Sequence, residues 1–297
     1  MSNEKLAQLV SVVRIATSDT GREWLDQSAQ ALRASTSLID DASRFSAMAR
    51  RKLGDDPLPR GSGAIAIGKY SIPLDGWILG DVGRVALLLG AAKDQPDHGA
   101  RLVDGVFRMG NEQERAAIIR GLALMPEPES LKAIALEASR TNKVGLYRAL
   151  AMSNPYPALF FDDHAFNQVV LKSAFIDLPL DSIIGLRERA NPELSRMCED
   201  YVDECLEAER SIPSDIWLAV APYASKRGKR QLLKHLEHED SQHRYFAAHG
   251  LIKHGRDNSV IRMALVQREL VETNVDVSQA LRTALKAVAP IATAADE

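Results

Sequence analysis

Hydrophobic residues recur along most of the chain with the spacing of amphipathic helices. The clearest pattern lies between Asn191 and Arg210, where the apolar positions are Leu194, Met197, Cys198, Tyr201, Val202, Cys205 and Leu206. Charged residues occupy the positions between them, and Asn191 followed by Pro192 is typical of a helix start. Comparable patterns elsewhere predict roughly a dozen helices. The sequence therefore indicates an all-α protein.

Polar capping residues predict where several of these helices begin. Asn111 followed by Glu114 has the spacing of a capping box, in which each residue bonds the other's backbone N–H. Two further helices each have two adjacent N-cap candidates. For the first helix they are Asp162 and Asp163, and for the second they are Asp240 and Ser241.

The segment 52–83 interrupts the helical pattern, because ten of its 32 residues are Gly or Pro. Both residue types disfavour a helix interior. We therefore expect a long connecting loop with no helix longer than two turns before Asp81. At most one pair of strands is expected in it, around residues 64–72.

Three short segments, 118–126, 146–154 and 247–255, align without gaps. In each, a small residue precedes a leucine, and the small residues are Gly121, Ala149 and Gly250. Small residues let stacked helices approach closely, and the unit at 232–251 resembles a HEAT-type repeat. We predict an irregular α-solenoid of HEAT-like stacked helix pairs. The alternative is an irregular all-α domain whose segments match by coincidence.

Composition and charge exclude several classes of protein. The 297 residues carry 37 Lys and Arg against 40 Asp and Glu, a net charge of −3, so no basic surplus is available for nucleic acid. A content of 45% hydrophobic and 26% charged residues is typical of globular proteins. No apolar stretch reaches the roughly 20 residues of a membrane span. The first residues lack a secretory signal pattern, so we expect a cytoplasmic protein.

Cysteine and histidine offer little predicted chemistry. Cys198 and Cys205 lie seven residues apart on one predicted helix, too far to form a disulfide, and are expected in the core. His235 and His238, with acidic neighbours, are a weak candidate for a metal site. Their spacing matches no zinc motif, so we expect no metal and no cofactor.

The region 140–196 is the strongest candidate for a ligand site. Polar residues there fall within or between helices that otherwise have core-like patterns. The candidates are Arg140, Asn142, Asn154, His164, Asn167, Lys172, Arg187 and Arg189. Arginine suits carboxylate or phosphate, and asparagine offers both a donor and an acceptor. We expect at least three of them to line one pocket, unless they serve as helix caps and surface ion pairs.

Several segments in a fixed order resemble the EboA family. They are 79–89, 140–142, 154–157, 166–175 and 185–194, followed by Glu209-Arg210 and Ile216-Trp217. The resemblance covers roughly residues 77–222. Together with the Gly/Pro-rich segment and the HEAT-like pattern, it divides the chain into an N-terminal helical region (1–51), the Gly/Pro-rich loop (52–83), an EboA-like helical core (84–225) and HEAT-like C-terminal helices (226–297).

The resemblance implies a non-enzymatic accessory protein that binds or escorts a specialised metabolite. Proteins of this family are encoded beside a prenyltransferase-like membrane protein and other cluster proteins, so proteins of the same cluster are implied as partners, with peripheral contact to a membrane partner. It supplies no catalytic residues. Two alternatives stay open, an enzyme with a polar pocket around 140–196 and a HEAT-like scaffold that binds protein. The ligand and the oligomeric state are left undetermined.

Overall fold

The fold is dominated by helices, as the hydrophobic pattern predicts. A computed structural model describes residues 2–95, 98–255 and 258–288, is 72% helical, and contains sixteen α-helices and one small sheet within those residues. The chain divides by its internal contacts into two compact units, residues 1–166 and 167–297. Across the described residues, no helix combines the length and apolar character that crossing a bilayer requires.

Within the described residues, the first unit holds nine complete helices, a two-stranded hairpin and the start of a tenth helix. Their bounds are α1 (Ser2–Ala16), α2 (Asp19–Arg33), α3 (Leu38–Leu53), β1 (Ala64–Ile67), β2 (Tyr70–Pro73), α4 (Leu79–Lys93), α5 (Gly99–Met109), α6 (Glu112–Arg120), α7 (Lys132–Arg140), α8 (Val144–Ala151), α9 (Tyr156–Phe160) and α10 (Asp163–Phe175).

Helix α4 forms the centre of the first unit. Thirteen of its fifteen residues are buried, and it packs against α1, α2, α3, α5 and α6. Its sequence is apolar on almost every face, which is the pattern of a helix surrounded by other helices. The N-terminal helices therefore pack on the same central helix as α5 and α6.

The Gly/Pro-rich segment contains the predicted strand pair. Strands β1 and β2 are antiparallel, with Ala64 opposite Pro73 and Ile67 opposite Tyr70. Within the described residues, no helix lies between the end of α3 and the start of α4. This confirms the expectation that the segment contains no helix longer than two turns before Asp81. The carboxylate of Asp75 accepts hydrogen bonds from the backbone N–H groups of Gly61 (3.1 Å) and Ser62 (2.9 Å). This segment is therefore an ordered turn and hairpin.

Two of the aligned small residues lie where neighbouring elements touch. A Cβ on Gly121 would lie 2.5 Å from Cγ1 of Val85, and a Cβ on Gly250 would lie 2.8 Å from the Cβ of Ala221. Both distances are shorter than ordinary van der Waals contact. The expected close approach at Gly121 and Gly250 is confirmed, while the HEAT-like stacking stays a prediction.

The part of the second unit that the structure describes contains six helices after α10. Their bounds are α11 (Pro192–Glu207), α12 (Trp217–Val220), α13 (Lys226–Leu236), α14 (Ser241–Gly255), α15 (Ser259–Val271) and α16 (Val275–Val288). Helix α14 packs against α12, α13, α15 and α16. Cys198 and Cys205 are buried free thiols on α11, as predicted.

The predicted caps are present. Asn191 accepts a hydrogen bond from the Leu194 N–H (2.9 Å), and Asn111 forms the capping box with Glu114. Asp162 accepts from Ala165 N–H (2.9 Å), and Asp240 accepts from Gln242 N–H (2.8 Å). In both ambiguous pairs the structure thus shows the first candidate in the capping position.

A buried ion network closes the turn between α15 and α16. Glu272 has no exposed side-chain surface and accepts hydrogen bonds from Arg244 (2.8 and 2.9 Å) and Arg268 (3.0 Å). The Asn274 N–H donates to the same carboxylate at 2.9 Å. Burial alone would raise the pKa of Glu272, but these donors outweigh it and lower the pKa to about 2.

Candidate functional site

Four of the eight residues predicted as ligand contacts lie in the first unit. Arg140 is exposed at the end of α7, Asn142 is exposed in the following turn, and His164 is exposed in the first turn of α10. Asn154 is the exception, with 1% of its surface exposed.

The Asn154 side chain is used to hold the backbone between α8 and α9. Its amide nitrogen donates to the carbonyls of Ile119 (3.0 Å) and Ala149 (2.8 Å), and its oxygen accepts from the Tyr156 N–H (2.9 Å). These three bonds satisfy a buried amide, as buried polar groups require. Asn154 therefore has a structural role at this junction.

The other four residues lie in the second unit. Asn167 is buried and forms a reciprocal amide pair with Asn191, at 3.1 and 2.9 Å. Since Asn191 also caps α11, this pair joins α10 to the start of α11. Arg189 is half-buried and Arg187 is exposed. Burial, and after it the charge of Arg187, lowers the pKa of His249 on α14.

Lys172 lines a groove between α10 and α11, which we call the α10–α11 groove. Its volume is about 390 Å³ and its lining residues are Gln168, Leu171, Lys172, Phe175, Met197, Asp200, Tyr201 and Glu204. Burial lowers the pKa of Lys172. The convergence of at least three predicted residues on one pocket stays a prediction.

A large cavity lies in the first unit, in a region that the sequence patterns did not single out. This N-terminal groove has a volume of about 710 Å³ and is formed by α1, α2, the start of α3, and α4 with the turn after it. Its lining residues are Leu6, Val10, Leu25, Asp26, Ala29, Gln30, Leu32, Arg33, Leu38, Ala86, Leu87, Gly90, Ala91, Asp94 and Gln95. Gly90 leaves space there, because a Cβ would meet no atom closer than 3.7 Å.

The walls of the N-terminal groove are apolar and its polar groups are exposed. Leu25, Leu32 and Leu87 are at most 6% exposed, so the walls are anchored in the core of the unit. At the rim, Arg33 Nε donates to Asp94 Oδ2 at 3.3 Å, and Asp26 pairs with Arg14 at 2.7 Å. A cavity of this size, with an apolar interior and few polar groups, has the properties of a small-molecule site.

A buried charge network between α3 and α4 also escaped the sequence patterns. Asp81, on α4, accepts from Arg50 Nε (2.9 Å), Arg50 Nη2 (2.7 Å) and Arg84 Nη1 (2.5 Å). Arg84 is 3% exposed and also donates to the Ser46 carbonyl at 2.9 Å. Burial lowers the pKa of Arg84 and the charge of Asp81 opposes that effect. The network ties α3 to α4.

The residues best placed to hold a metal ion are three histidines in the second unit. His235 in the last turn of α13, His238 in the turn after it and His243 in the first turn of α14 each offer a ring nitrogen, and these three atoms lie within 4.8 Å of one another. The ring centroids are 4.2–5.4 Å apart. The sequence patterns found His235 and His238 but did not include His243.

Each ring of this histidine cluster has a hydrogen-bond partner. His235 Nδ1 lies 2.9 Å from the Gln231 carbonyl, which requires the proton to be on Nδ1. His238 Nδ1 accepts from the Asp240 N–H at 3.0 Å, and His243 Nδ1 accepts from the Trp217 indole at 3.3 Å.

Comparison with known proteins assigns the chain to a family. The sequence model of a family described as metabolite traffic protein EboA matches residues 5–221. No curated protein and no solved structure matches the chain. The matched range includes every residue of the N-terminal groove and ends before the histidine cluster. Because the match spans well over half of the 297 residues, the chain belongs to the EboA family.

Proposed function

We propose that this protein is a non-enzymatic accessory protein that binds a small, largely apolar metabolite in the N-terminal groove. The observation that carries the proposal is the groove itself, with about 710 Å³ of space between buried leucine walls and a polar rim. Ligand pockets of drug-sized molecules measure roughly 300–1,000 Å³ and are predominantly apolar. The groove also lies within the residues matched by a family whose description is metabolite traffic.

The lining of the groove indicates the chemical class of its ligand. The buried walls suit a hydrocarbon or aromatic body, since burying apolar surface contributes about 25 cal/mol per Å². The amides of Gln30 and Gln95 and the Arg33–Asp94 pair suit one polar end that stays near solvent. Within the described residues, the groove is not lined by a nucleophilic side chain together with a general base. The lining therefore favours a carrier over an enzyme.

A second proposed ligand site is the α10–α11 groove, to which Lys172 contributes. Proteins of the same gene cluster are the proposed partners, one of them at a membrane surface, and the cytoplasm is the proposed location. The proposed partners are those that the family resemblance implies.

The proposed function is tested by native mass spectrometry of the protein purified from its own host. We expect a retained small molecule in the wild-type protein and in Ala31→Phe, and its loss in Ala29→Phe. Ala29 lines the groove, whereas Ala31 is exposed on the same helix and is absent from the lining. The two variants therefore add the same side chain to one helix and differ in whether it fills the groove.

Equilibrium binding gives a second measurement with a defined probe. We expect 1-anilinonaphthalene-8-sulfonate to bind the wild-type protein and Ala31→Phe alike, and to bind Ala29→Phe at least tenfold more weakly. Circular dichroism of both variants checks that α2 is intact. Equal binding by folded Ala29→Phe and Ala31→Phe would contradict the groove as the ligand site.

A further inference from the structure

The histidine cluster brings together three ring nitrogens from two helices and one turn. The three residues lie within nine positions of the chain, and the turn between α13 and α14 folds His243 back onto His235 and His238. His235 and His243 are 4% and 7% exposed, and His238 is half-buried. Two imidazoles of the cluster are therefore buried, and a solute would reach them from the side on which His238 lies.

The hydrogen bonds of His235 prepare it as a metal ligand. Its Nδ1–H donates to the Gln231 carbonyl, so the lone pair of the neutral ring lies on Nε2. Among the described residues, no hydrogen bond engages Nε2 of His235 or of His238. Ligating histidines usually donate their other N–H to a carbonyl or carboxylate, which fixes the tautomer and orients the ring. The Trp217 ring packs on His235, with centroids 4.4 Å apart, and limits its rotation.

The distances require only side-chain movement to reach metal coordination. Zinc–nitrogen bonds are about 2.0–2.1 Å, so nitrogens in a tetrahedral site are separated by about 3.3 Å. The helices fix His235 and His243, while His238 lies in the connecting turn. Rotation of His238 away from the Asp240 N–H and a shift of the His243 ring away from the Trp217 indole would bring the nitrogens to this separation.

We propose that His235, His238 and His243 bind one divalent transition-metal ion, with Zn²⁺ as the expected ion. Three imidazoles suit zinc, copper, iron or nickel and disfavour the oxygen-seeking Mg²⁺ and Ca²⁺. Three protein ligands leave a fourth tetrahedral position for water or another small ligand. The site lies beyond the matched family range and is independent of the N-terminal groove.

Burial affects the pKa of two histidines of the cluster. Burial, and after it the proximity of the other histidines, lowers the pKa of His243 to about 4. Burial also lowers the pKa of His235.

The test uses the full chain without a polyhistidine tag, freed of metal with a chelator and then dialysed. Titration calorimetry with Zn²⁺ should give one ion per chain, and Co²⁺ should give the visible absorption of a four-coordinate ion. His238→Ala should weaken Zn²⁺ binding by more than about 100-fold, because losing even an outer hydrogen-bond partner of a metal ligand costs about 10–100-fold. His164→Ala is the matched control, since it removes an exposed histidine of the first unit.

Folding is monitored separately so that a misfolded variant is not mistaken for a lost ligand. His238→Ala changes a half-buried side chain in a turn. His243→Gln is a second variant that lacks one of the three imidazoles, and it keeps a polar side chain at a buried position. Zn²⁺ should raise the melting temperature of the wild-type protein and of His164→Ala, but not of folded His238→Ala. The proposal is overturned if the wild-type protein binds no stoichiometric Zn²⁺. It is equally overturned if folded His238→Ala and His164→Ala bind Zn²⁺ as tightly as the wild type.

Discussion

Replacing Asp81 by alanine should destabilise the protein far more than replacing an exposed aspartate. Asp81 accepts three hydrogen bonds, two from Arg50 and one from Arg84. Arg50 is partly exposed and can turn toward solvent or toward Asp55, with which it already pairs. Arg84 is 3% exposed and lies on the central helix α4. Asp81→Ala therefore leaves the Arg84 guanidinium buried without its carboxylate.

The magnitude follows from the cost of an unpaired buried charge. Removing one partner of a buried ion pair typically destabilises a protein by about 3–5 kcal/mol. The hydrogen bond from Arg84 to the Ser46 carbonyl remains and places the expected loss near the lower end of that range. The total stability of a folded domain is only about 5–15 kcal/mol. A loss of about 3 kcal/mol should therefore be obvious.

Urea unfolding followed by far-UV circular dichroism measures this loss. The comparison is Asp26→Ala, which breaks the exposed pair with Arg14 and should cost less than about 1 kcal/mol. A second variant tests the cause. Adding Arg84→Met to Asp81→Ala should restore part of the stability, because replacing a buried ion pair by apolar side chains is often neutral or stabilising.

Two results would refute this reasoning. The first is a cost for Asp81→Ala below about 1 kcal/mol with an unchanged denaturant slope, since it would mean that Arg84 is not held by Asp81. The second is a double variant less stable than Asp81→Ala alone. In that case the lost contribution would be packing by the arginine side chain rather than neutralisation of its charge.

Three further predictions concern acid stability, helix packing and thiol reactivity. The pKa of Glu272 is lowered to about 2 from an ordinary value of 4.5, so its ionised carboxylate stabilises the folded protein fully above about pH 4.5. As the pH falls toward 2, protonation of Glu272 removes up to about 3 kcal/mol of the free energy of unfolding. The free energy of unfolding of Glu272→Gln, measured over the same pH range, should not show this loss. Gly121→Ala should cost about 1–3 kcal/mol by overpacking, whereas Gly90→Ala, which has space for a Cβ, should stabilise by up to about 1 kcal/mol in thermal unfolding. Burial raises the pKa of Cys198 to about 12, and Cys205 is equally buried, so Ellman's reagent should label neither thiol until denaturant is added; rapid labelling of native protein would contradict their burial.

Local features of the fold were accessible from the sequence. The apolar stripe of α11, its Asn191 cap and the capping box at Asn111 depend on residues three or four positions apart, which a helix places on one face. The strand pair at 64–73 was predictable for a similar reason. Gly and Pro exclude helix from that segment, and the short apolar runs on either side of Gly68 can pair across a turn.

The sites were much less accessible, because they combine residues whose separation carries no local signal. The polar density around 140–196 was evident, yet it did not show that Asn154 would bond three backbone groups or that Asn167 would pair with Asn191. A buried amide must find partners, and which partners it finds depends on packing. Likewise, the position of His243 beside His235 depends on the angle between α13 and α14.

The amino-acid sequence by itself determined the helical class, the position of the hairpin, several helix starts, the buried cysteines and the family resemblance. Periodicity, turn chemistry and ordered motifs are properties of short segments, so they can be recognised without knowing what those segments contact. Only the tertiary structure decided that α1, α2 and α4 enclose the N-terminal groove, that Asp81 pairs with Arg84 and that ring nitrogens of three histidines lie within 4.8 Å of one another. These features depend on which faces meet, and that choice is made by burial of apolar surface across the whole unit rather than by any local preference.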